Sequence, residues 1–317
     1  MRVLITRLLP DAVIAAARAR FDVTLRELGR PMSAEEAAAA LRDYDAVLPT
    51  LGDAFGTSAF DAVDAPRCRL LANFGVGYNH IDAAAARAKG IAVTNTPGAV
   101  TDATADIAMM LILMSARRAS EGERLVRAGQ WTGWHPVQML GQHVTGKTLA
   151  IIGMGRIGKA IARRAHFGFG MRIVFFNRSP VADAGMPAVQ AATVAEAMAA
   201  GDFVVTAVPG GPATRHIIGA DALAAMQPHA HLVNIARGDV VDEAALIAAL
   251  TERRIAGAGL DVYEREPVVP EALKALNNVT LLPHLGTATS EVRTAMGMMA
   301  VENLLAFAEG RALINPV

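Results

Sequence analysis

Short apolar runs alternate with helix-like segments along almost the whole chain. In its first third the predicted strands are Val3–Thr6, Ala46–Pro49, Leu70–Asn73 and Ala92–Thr94, with helical patterns at Asp11–Ala19, Ala34–Leu41 and Ile81–Ala88. Short apolar strands separated by helices are typical of βαβ units. The pattern therefore predicts an α/β fold with a parallel sheet.

A second series of the same kind begins at Thr148. Its predicted strands are Thr148–Ile152, Arg172–Phe176, Phe203–Ala207, Leu232–Asn234, Gly257–Val262 and Val279–Leu282. Between the two series we expect a long helix at Asp102–Ala119 and an irregular excursion at Glu121–Gln142, which holds both tryptophans. The last helix, Ser290–Phe307, is expected to return to the first lobe. The chain is thus predicted to form two lobes, each a doubly wound parallel sheet.

Composition narrows the classes of protein. The 317 residues include 30 Lys+Arg and 30 Asp+Glu, so no charge surplus indicates a nucleic-acid or anionic membrane partner. The single cysteine, Cys68, excludes an intrachain disulfide and lies far from any Cys/His cluster, so we expect no metal site. The longest apolar stretch, Ile107–Met114, is too short to span a bilayer, and Pro10 interrupts the first apolar run. We therefore expect a cytoplasmic protein.

The predicted strand Thr148–Ile152 runs into a glycine-rich loop. The segment Gly153-Met154-Gly155-Arg156-Ile157-Gly158 matches GxGxxG and opens a predicted helix. Gly153 permits a tight turn, Gly155 lets the backbone approach a pyrophosphate, and Gly158 allows close helix–strand packing. The first helical residues, Arg156 and Ile157, offer unpaired N–H groups to the phosphates. The loop therefore predicts a dinucleotide-binding domain.

The end of the next strand predicts which dinucleotide is preferred. Enzymes that use NAD usually place an acid there, which accepts hydrogen bonds from the ribose hydroxyls. This chain instead has Asn177-Arg178-Ser179. Arg178 can pair with a 2′-phosphate, and Asn177 and Ser179 can hydrogen-bond to it. We predict NADP(H) as the preferred cofactor and NAD(H) as the alternative; under the competing interpretation Arg178 stacks on the adenine or faces water.

Polar residues follow three later strands, at the edge where α/β sheets bind ligands. These segments are Val233–Asp239, Gly259–Pro267 and Leu282–Thr287. With the glycine loop and the segments Phe74–Asp82 and Thr101–Asp106, they form an ordered set of motifs over nearly the whole length. On these motifs the chain resembles the D-isomer-specific 2-hydroxyacid dehydrogenases. The stretch Asp-Ala-Thr-Ala-Asp and the triplet Asn-Arg-Ser are most similar to the glyoxylate/hydroxypyruvate reductase branch.

By this resemblance the catalytic residues are Arg237, Glu266 and His284. Their chemistry suits keto-acid reduction. His284 can donate a proton to the carbonyl oxygen, Glu266 can favour the charged imidazolium, and Arg237 can hold a carboxylate and polarise the keto oxygen. The related formate dehydrogenases place glutamine at position 266 and need no proton donor. On spacing alone the three would be interpreted as a surface arginine, a solvated acid and a core histidine.

The resemblance implies further binding residues. Besides Arg237 and His284, the expected substrate contacts are Leu51, Gly52, Val76 and Gly77. Beyond the glycine loop and the segment 177–179, the expected cofactor contacts are Thr104, Val208, Pro209, Thr214, Ala236, Asp261 and Gly286. The chain departs from the family pattern at Gly210-Gly211-Pro212, where an apolar–polar run is usual.

Domain roles, assembly and activity follow from the same resemblance. It assigns residues 1–99 and 287–317 to a flavodoxin-like substrate-binding domain, and residues 100–286 to a Rossmann dinucleotide-binding domain. It also implies a homodimer. The expected activity interconverts a small 2-keto acid and its 2-hydroxy acid, as in the glyoxylate/hydroxypyruvate reductases. The alternatives are a D-2-hydroxyacid dehydrogenase of the hydroxyphenylpyruvate or phosphoglycerate type, and a dinucleotide-sensing, corepressor-like binding protein.

Overall fold

A computed structural model describes residues 1–317, and the chain divides into two compact units. Unit 1 comprises Met1–Val100 and Ala288–Val317, and unit 2 comprises Thr101–Thr287. Each unit contains a single sheet, five-stranded in unit 1 and seven-stranded in unit 2. None of the helices has the length and apolar character needed to cross a bilayer.

The elements follow one another in regular alternation. In unit 1 they are β1 (Arg2–Ile5), α1 (Asp11–Arg18), β2 (Asp22–Leu25), α2 (Ala34–Asp43), β3 (Ala46–Leu48), α3 (Thr57–Asp61), β4 (Leu70–Ala72), α4 (Ala83–Ala88) and β5 (Ala92–Thr94). In unit 2 they are α5 (Thr101–Ala116), α6 (Ala119–Arg127), β6 (Thr148–Ile152), α7 (Arg156–Phe169), β7 (Arg172–Phe176), β8 (Ala188–Gln190), α8 (Val194–Ala200), β9 (Phe203–Thr206), α9 (Ala220–Ala224), β10 (His231–Asn234), a 3₁₀ turn (Gly238–Val240), α10 (Glu243–Thr251), β11 (Gly257–Leu260), α11 (Glu271–Ala275) and β12 (Val279–Leu281). The last helix, α12 (Ser290–Ala308), belongs to unit 1.

The sheet of unit 1 has the strand order of flavodoxin-like folds. Its strands run in the order β2-β1-β3-β4-β5, and every pair is parallel. Alternate residues of β1 enter two different cores: Val3 and Ile5 pack on one face of the sheet, and Leu4 packs on the other. Helix α12 completes the core that contains Val3 and Ile5, because Ala300, Val301 and Leu304 are buried there.

The sheet of unit 2 has the strand order of a dinucleotide-binding fold. Its strands lie in the order β12-β11-β10-β9-β6-β7-β8, and every pair is parallel. The chain adds strands to one side of β6 as far as β8 and then to the other side from β9, so the strand order reverses between β6 and β9. Along β6, Ala150 and Ile152 face one core while Leu149 and Ile151 face the other. Such a strand is buried on both faces, which explains its continuous apolar sequence. The predicted architecture of two parallel α/β sheets is confirmed, and ligands of such sheets bind at the carboxyl ends of strands near the reversal.

Three parts of the prediction were wrong. It missed β2 and β8, which lie at sheet edges and carry exposed polar residues. The expected helix Asp102–Ala119 ends at Ala116, since Arg118 adopts a left-handed conformation with a φ of 55°. A second helix, α6, then occupies Ala119–Arg127, so the irregular segment begins after Arg127 rather than at Glu121.

Candidate active site

His284 and Glu266 form a hydrogen-bonded pair beside the carboxyl ends of β11 and β12. Nδ1 of His284 lies 2.8 Å from Oε2 of Glu266, and the side chains are 28% and 30% exposed. The N–H of Tyr263 donates to the other carboxylate oxygen at 3.1 Å. Burial acts against ionisation of Glu266, but His284, the Tyr263 N–H and the charge of Arg237 together hold its pKa below the ordinary value. Glu266 is therefore ionised at neutral pH, and Nε2 of His284 is left for another partner.

Asp261 fixes the backbone that carries His284. Its carbonyl oxygen accepts the His284 N–H at 2.9 Å, and its buried carboxylate accepts the N–H groups of Leu285 and Gly286 at 2.6 and 2.8 Å. The Gly286 carbonyl in turn accepts the Thr104 hydroxyl at 3.1 Å. These bonds hold His284 at a φ of 56°, which is uncommon for a residue with a side chain. Asp261 and Thr104, which were predicted as cofactor contacts, therefore use side-chain oxygens to fix the backbone of residues 284–286.

Arg237 shares the electrostatic environment of the His284–Glu266 pair. It lies three residues after β10, and its Nη1 donates to the Ala236 carbonyl at 2.7 Å. Burial lowers the pKa of the guanidinium, and the charges of Glu266 and Asp239 oppose that shift. An arginine stays protonated under such conditions. Unit 2 therefore brings together a fixed cation, an ionised carboxylate and an imidazole.

Asn234 holds the turn that leads from β10 to Arg237. This side chain is 1% exposed. Its oxygen accepts the Thr206 hydroxyl at 2.6 Å and the Ala236 N–H at 3.0 Å, and its nitrogen donates to the Arg237 carbonyl at 2.9 Å. Sequence reasoning placed Asn234 in a motif without giving it a role. A buried asparagine at a strand end was the available signal, because such a side chain must find hydrogen-bond partners.

Two glycines allow close packing on either side of the segment that carries Arg237. A Cβ on Gly238 would lie 1.8 Å from the carbonyl carbon of Tyr263, so only glycine lets this segment approach the loop that carries Glu266. A Cβ on Gly210 would lie 2.7 Å from Cγ of Arg237. The departure from the family pattern at Gly210 therefore leaves space that the aliphatic stem of Arg237 occupies.

The glycine loop has the shape that a pyrophosphate requires. Gly153 has a φ of 105°, and a Cβ there would lie 2.8 Å from the carbonyl group of Ala207. A Cβ on Gly158 would lie 2.1 Å from the Gly153 oxygen, which shows how closely α7 packs on the loop. Gly155 has no atom within 4 Å of its would-be Cβ and is the N-cap of α7. An open approach to the start of a long helix suits a dinucleotide phosphate, so these residues fit the group.

The loop after β9 lies against the glycine loop. A Cβ on Gly153 would lie 2.9 Å from Cγ1 of Val208. The Thr214 hydroxyl donates to the Pro209 carbonyl at 2.6 Å and so closes the loop on itself. Val208 and Pro209 thus stand beside the predicted cofactor loop, whereas the Thr214 hydroxyl has a partner within its own loop.

Asn177 connects the glycine loop to the segment after β7. Its side-chain oxygen accepts the Met154 N–H at 3.2 Å, and its nitrogen donates to the Ser179 carbonyl at 2.9 Å. Arg178 and Ser179 are exposed. Of the three residues predicted to meet a 2′-phosphate, Arg178 and Ser179 present free side chains, and Asn177 is engaged in fixing the backbone.

In unit 1 the segment 75–77 has three carbonyls that accept side-chain hydrogen bonds and two N–H groups that have no acceptor. The Asn73 side chain donates to the carbonyls of Gly75 and Gly77 at 3.0 and 3.1 Å, and the Asn95 side chain donates to the Val76 carbonyl at 2.9 Å. The N–H groups of Val76 and Gly77 have no acceptor within the chain. Adjacent free N–H groups on a fixed backbone form a binding place for a carboxylate.

Asp53 fixes the segment that contains Leu51 and Gly52. It is fully buried, and its carboxylate accepts the Thr6 hydroxyl at 2.6 Å and the N–H groups of Thr50 and Met32 at 2.8 Å each. Arg7 donates to the Leu51 carbonyl at 2.7 Å and lies 3.6 Å from the same carboxylate. Sequence reasoning missed Asp53.

Comparison with known proteins places the chain in a family. Residues 109–286 match the profile of the D-isomer specific 2-hydroxyacid dehydrogenase, NAD binding domain. A glyoxylate reductase from Thermococcus gammatolerans is 45% identical over 315 residues, which cover 98% of this chain and 93% of the relative.

Solved structures agree over the full length. The NADPH-dependent glyoxylate/hydroxypyruvate reductase from Sinorhizobium meliloti, solved with NADP and malonate, has a TM-score of 0.89 at 37% identity, and the match covers 100% of this chain and 96% of that one. The D-mandelate dehydrogenase of Rhodotorula graminis has a TM-score of 0.86 at 29% identity, with 100% and 97% covered. The chain therefore belongs to the D-isomer specific 2-hydroxyacid dehydrogenases, a family of NAD(P)-dependent oxidoreductases.

Proposed function

We propose that the chain is an NADP(H)-dependent reductase of small 2-keto acids, with glyoxylate and hydroxypyruvate as its main substrates. The observation that carries the proposal is the His284–Glu266 pair in the field of Arg237. Such a set provides a proton and a carboxylate-binding cation, both of which keto-acid reduction needs. The substrate class is supported by the relatives that are glyoxylate or glyoxylate/hydroxypyruvate reductases.

In this function His284 donates the proton. Because Nδ1 is bound to Glu266, Nε2 is the nitrogen that passes a proton to the keto oxygen. The ionised Glu266 carboxylate stabilises the imidazolium and holds the ring in one orientation. When bound, the reduced nicotinamide supplies the hydride that the keto carbon receives. In the opposite direction the neutral imidazole accepts the hydroxyl proton.

Arg237 is assigned to the substrate carboxylate. The guanidinium offers two parallel N–H donors and also polarises the keto oxygen. Its partly desolvated position strengthens both interactions. In unit 1, the free N–H groups of Val76 and Gly77 are assigned as carboxylate donors, and Leu51 and Gly52 are assigned as further substrate contacts.

The cofactor is held by residues of unit 2. Gly153, Gly155, Gly158 and the N–H groups of Arg156 and Ile157 bind the pyrophosphate. The remaining cofactor contacts are assigned to Thr104, Asn177, Val208, Pro209, Thr214, Ala236, Asp261 and Gly286. Arg178 and Ser179 are assigned to the 2′-phosphate of NADP(H), since both are exposed and no acid at 177–179 repels it.

The domain roles and the assembly belong to the same proposal. We assign substrate binding to residues 1–99 and 287–317, and dinucleotide binding to residues 100–286. We also propose a homodimer. The segment after α6 exposes large apolar side chains that favour a protein partner; they are Trp131 (54%), Trp134 (78%), Val137 (77%) and Leu140 (67%). Sedimentation equilibrium tests this assembly, and a mass of one chain would contradict it.

A keto-acid panel tests the activity. Purified protein is mixed with NADPH or NADH and with glyoxylate, hydroxypyruvate, hydroxyphenylpyruvate or phosphohydroxypyruvate, and nicotinamide oxidation is followed by absorbance. The proposal predicts the highest kcat/KM with NADPH and glyoxylate or hydroxypyruvate. A clear preference for an aromatic or phosphorylated keto acid would move the chain to another branch, and no oxidation with any acid would favour a binding protein.

A further inference from the structure

Gln190, the last residue of β8, is bonded to the segment that follows β7. Its Nε2 donates to the carbonyls of Asn177 and Ser179, at 3.2 Å each, and its Oε1 accepts the Val181 N–H at 3.1 Å. One exposed side chain therefore makes three hydrogen bonds to alternate residues of a single short segment. Nothing in the proposed chemistry uses Gln190.

These bonds leave Arg178 between two fixed peptide groups. The Ser179 carbonyl accepts from both Gln190 and Asn177, and the Asn177 side chain is itself held by the Met154 N–H of the glycine loop. The backbone is thus tied before and after Arg178, while the Arg178 side chain is exposed and has no acidic partner. The segment is built to present a cation rather than to bury one.

We propose that Gln190 is a positioning residue for cofactor specificity: its carboxamide fixes the segment 177–181 so that Arg178 and Ser179 meet the phosphate on the 2′ position of adenosine. The inference rests on the proposed use of NADP(H). Binding a phosphate to a cation that is already held in position costs less conformational entropy than binding it to a mobile loop. Loss of Gln190 should therefore weaken the 2′-phosphate interaction and leave the rest of the dinucleotide unaffected.

The test compares two adenosine nucleotides that differ only in the 2′-phosphate. Calorimetric titration measures the Kd of 2′,5′-ADP and of adenosine 5′-monophosphate for the wild type, Gln190→Ala and Gln190→Leu. We expect both variants to bind 2′,5′-ADP about fivefold more weakly, which is the effect of losing about one net hydrogen bond. Binding of the 5′-monophosphate should not change. Gln227→Ala is the matched control, because Gln227 is also exposed and donates to one carbonyl, that of Ala199, at 3.2 Å.

The outcomes separate the two proposals. If both nucleotides weaken in parallel, or if neither changes, Gln190 does not set specificity and the inference is wrong while NADP(H) use stands. If the wild type itself binds the two nucleotides equally, both the NADP(H) preference and the inference fail. Thermal unfolding of each variant shows whether the fold is intact, and a lowered midpoint with an unchanged nucleotide ratio also counts against the inference.

Discussion

His284 and Glu266, 18 residues apart in sequence, meet with 2.8 Å between Nδ1 and Oε2. The contact helps to hold the folded-state pKa of the Glu266 carboxylate below its ordinary value. A lowered carboxylate pKa stabilises the folded state fully above the pKa of the unfolded chain, and this contribution disappears as the pH falls through the folded-state value. Near neutral pH the pair is therefore intact.

Glu266→Gln should change the pH profile of reduction. Glutamine can still hydrogen-bond to Nδ1 but carries no charge, so the imidazolium loses its stabilisation. In the wild type kcat/KM for glyoxylate should decline as the pH falls through the lowered pKa of Glu266, and this acidic decline should be absent in the variant, which has no carboxylate to protonate. Steady-state rates across a pH series measure this difference. An unchanged profile would mean that Glu266 does not act through the charge of His284.

Arg237→Ala and Arg237→Lys should both damage keto-acid use. Lysine keeps the charge but not the planar fork, so it should recover only part of the activity. We expect kcat/KM to fall about a hundredfold or more in Arg237→Ala, and less in Arg237→Lys. NADPH binding, followed by fluorescence, serves as the control and should stay within about twofold. If Arg237→Lys were as active as the wild type, the substrate carboxylate would not need the two parallel N–H donors of a guanidinium.

Gly155→Ala and Gly158→Ala should fail in different ways. A methyl group on Gly155 meets no protein atom within 4 Å, whereas one on Gly158 would lie 2.1 Å from the Gly153 oxygen. Gly155→Ala should cost about 1 kcal/mol of stability or less while weakening NADPH binding. Gly158→Ala should cost about 3 kcal/mol. Urea unfolding and nucleotide titration distinguish them, and the reverse order of stabilities would contradict this description of the loop.

Asp53→Ala should destabilise unit 1. The substitution removes a fully buried carboxylate and leaves the Thr50 and Met32 N–H groups without their acceptor. The expected loss is about 3 kcal/mol in the free energy of unfolding, measured with urea. Asp64→Ala is the control, since Asp64 is exposed, and it should change stability by less than about 0.5 kcal/mol. A loss as small as that of the control would show that the buried network carries little energy.

The central strands of both sheets could be predicted because burial on two faces makes them continuously apolar. Thr148–Ile152 is such a strand, and the structure has the same bounds. β2 and β8 could not be found in this way. They are short edge strands in which residues such as Asp22 and Gln190 face solvent, so no continuous apolar run marks them. The alternation in β2, Asp-Val-Thr-Leu, extends over only four residues.

The sequence predicts which residues form the candidate site but not how they are arranged in space. Motifs selected Arg237, Glu266 and His284, yet their approach depends on Gly238 packing against Tyr263, a contact that no local pattern encodes. Asp53 was missed because an acidic loop residue is usually solvated, and only the fold shows it to be fully buried. Asn177 has a side chain that can hydrogen-bond to a phosphate, but its carboxamide is already bonded to the backbone groups of Met154 and Ser179.

Single-turnover oxidation of NADPH by the His284→Ala variant tests the central claim most directly. The variant is saturated with NADPH, mixed rapidly with glyoxylate, and followed by the loss of nicotinamide absorbance. If Nε2 of His284 supplies the proton, the rate should fall by at least about a hundredfold while NADPH affinity stays unchanged. A rate close to that of the wild type, with glyoxylate still reduced, would show that the proton comes from elsewhere and that the assignment is wrong.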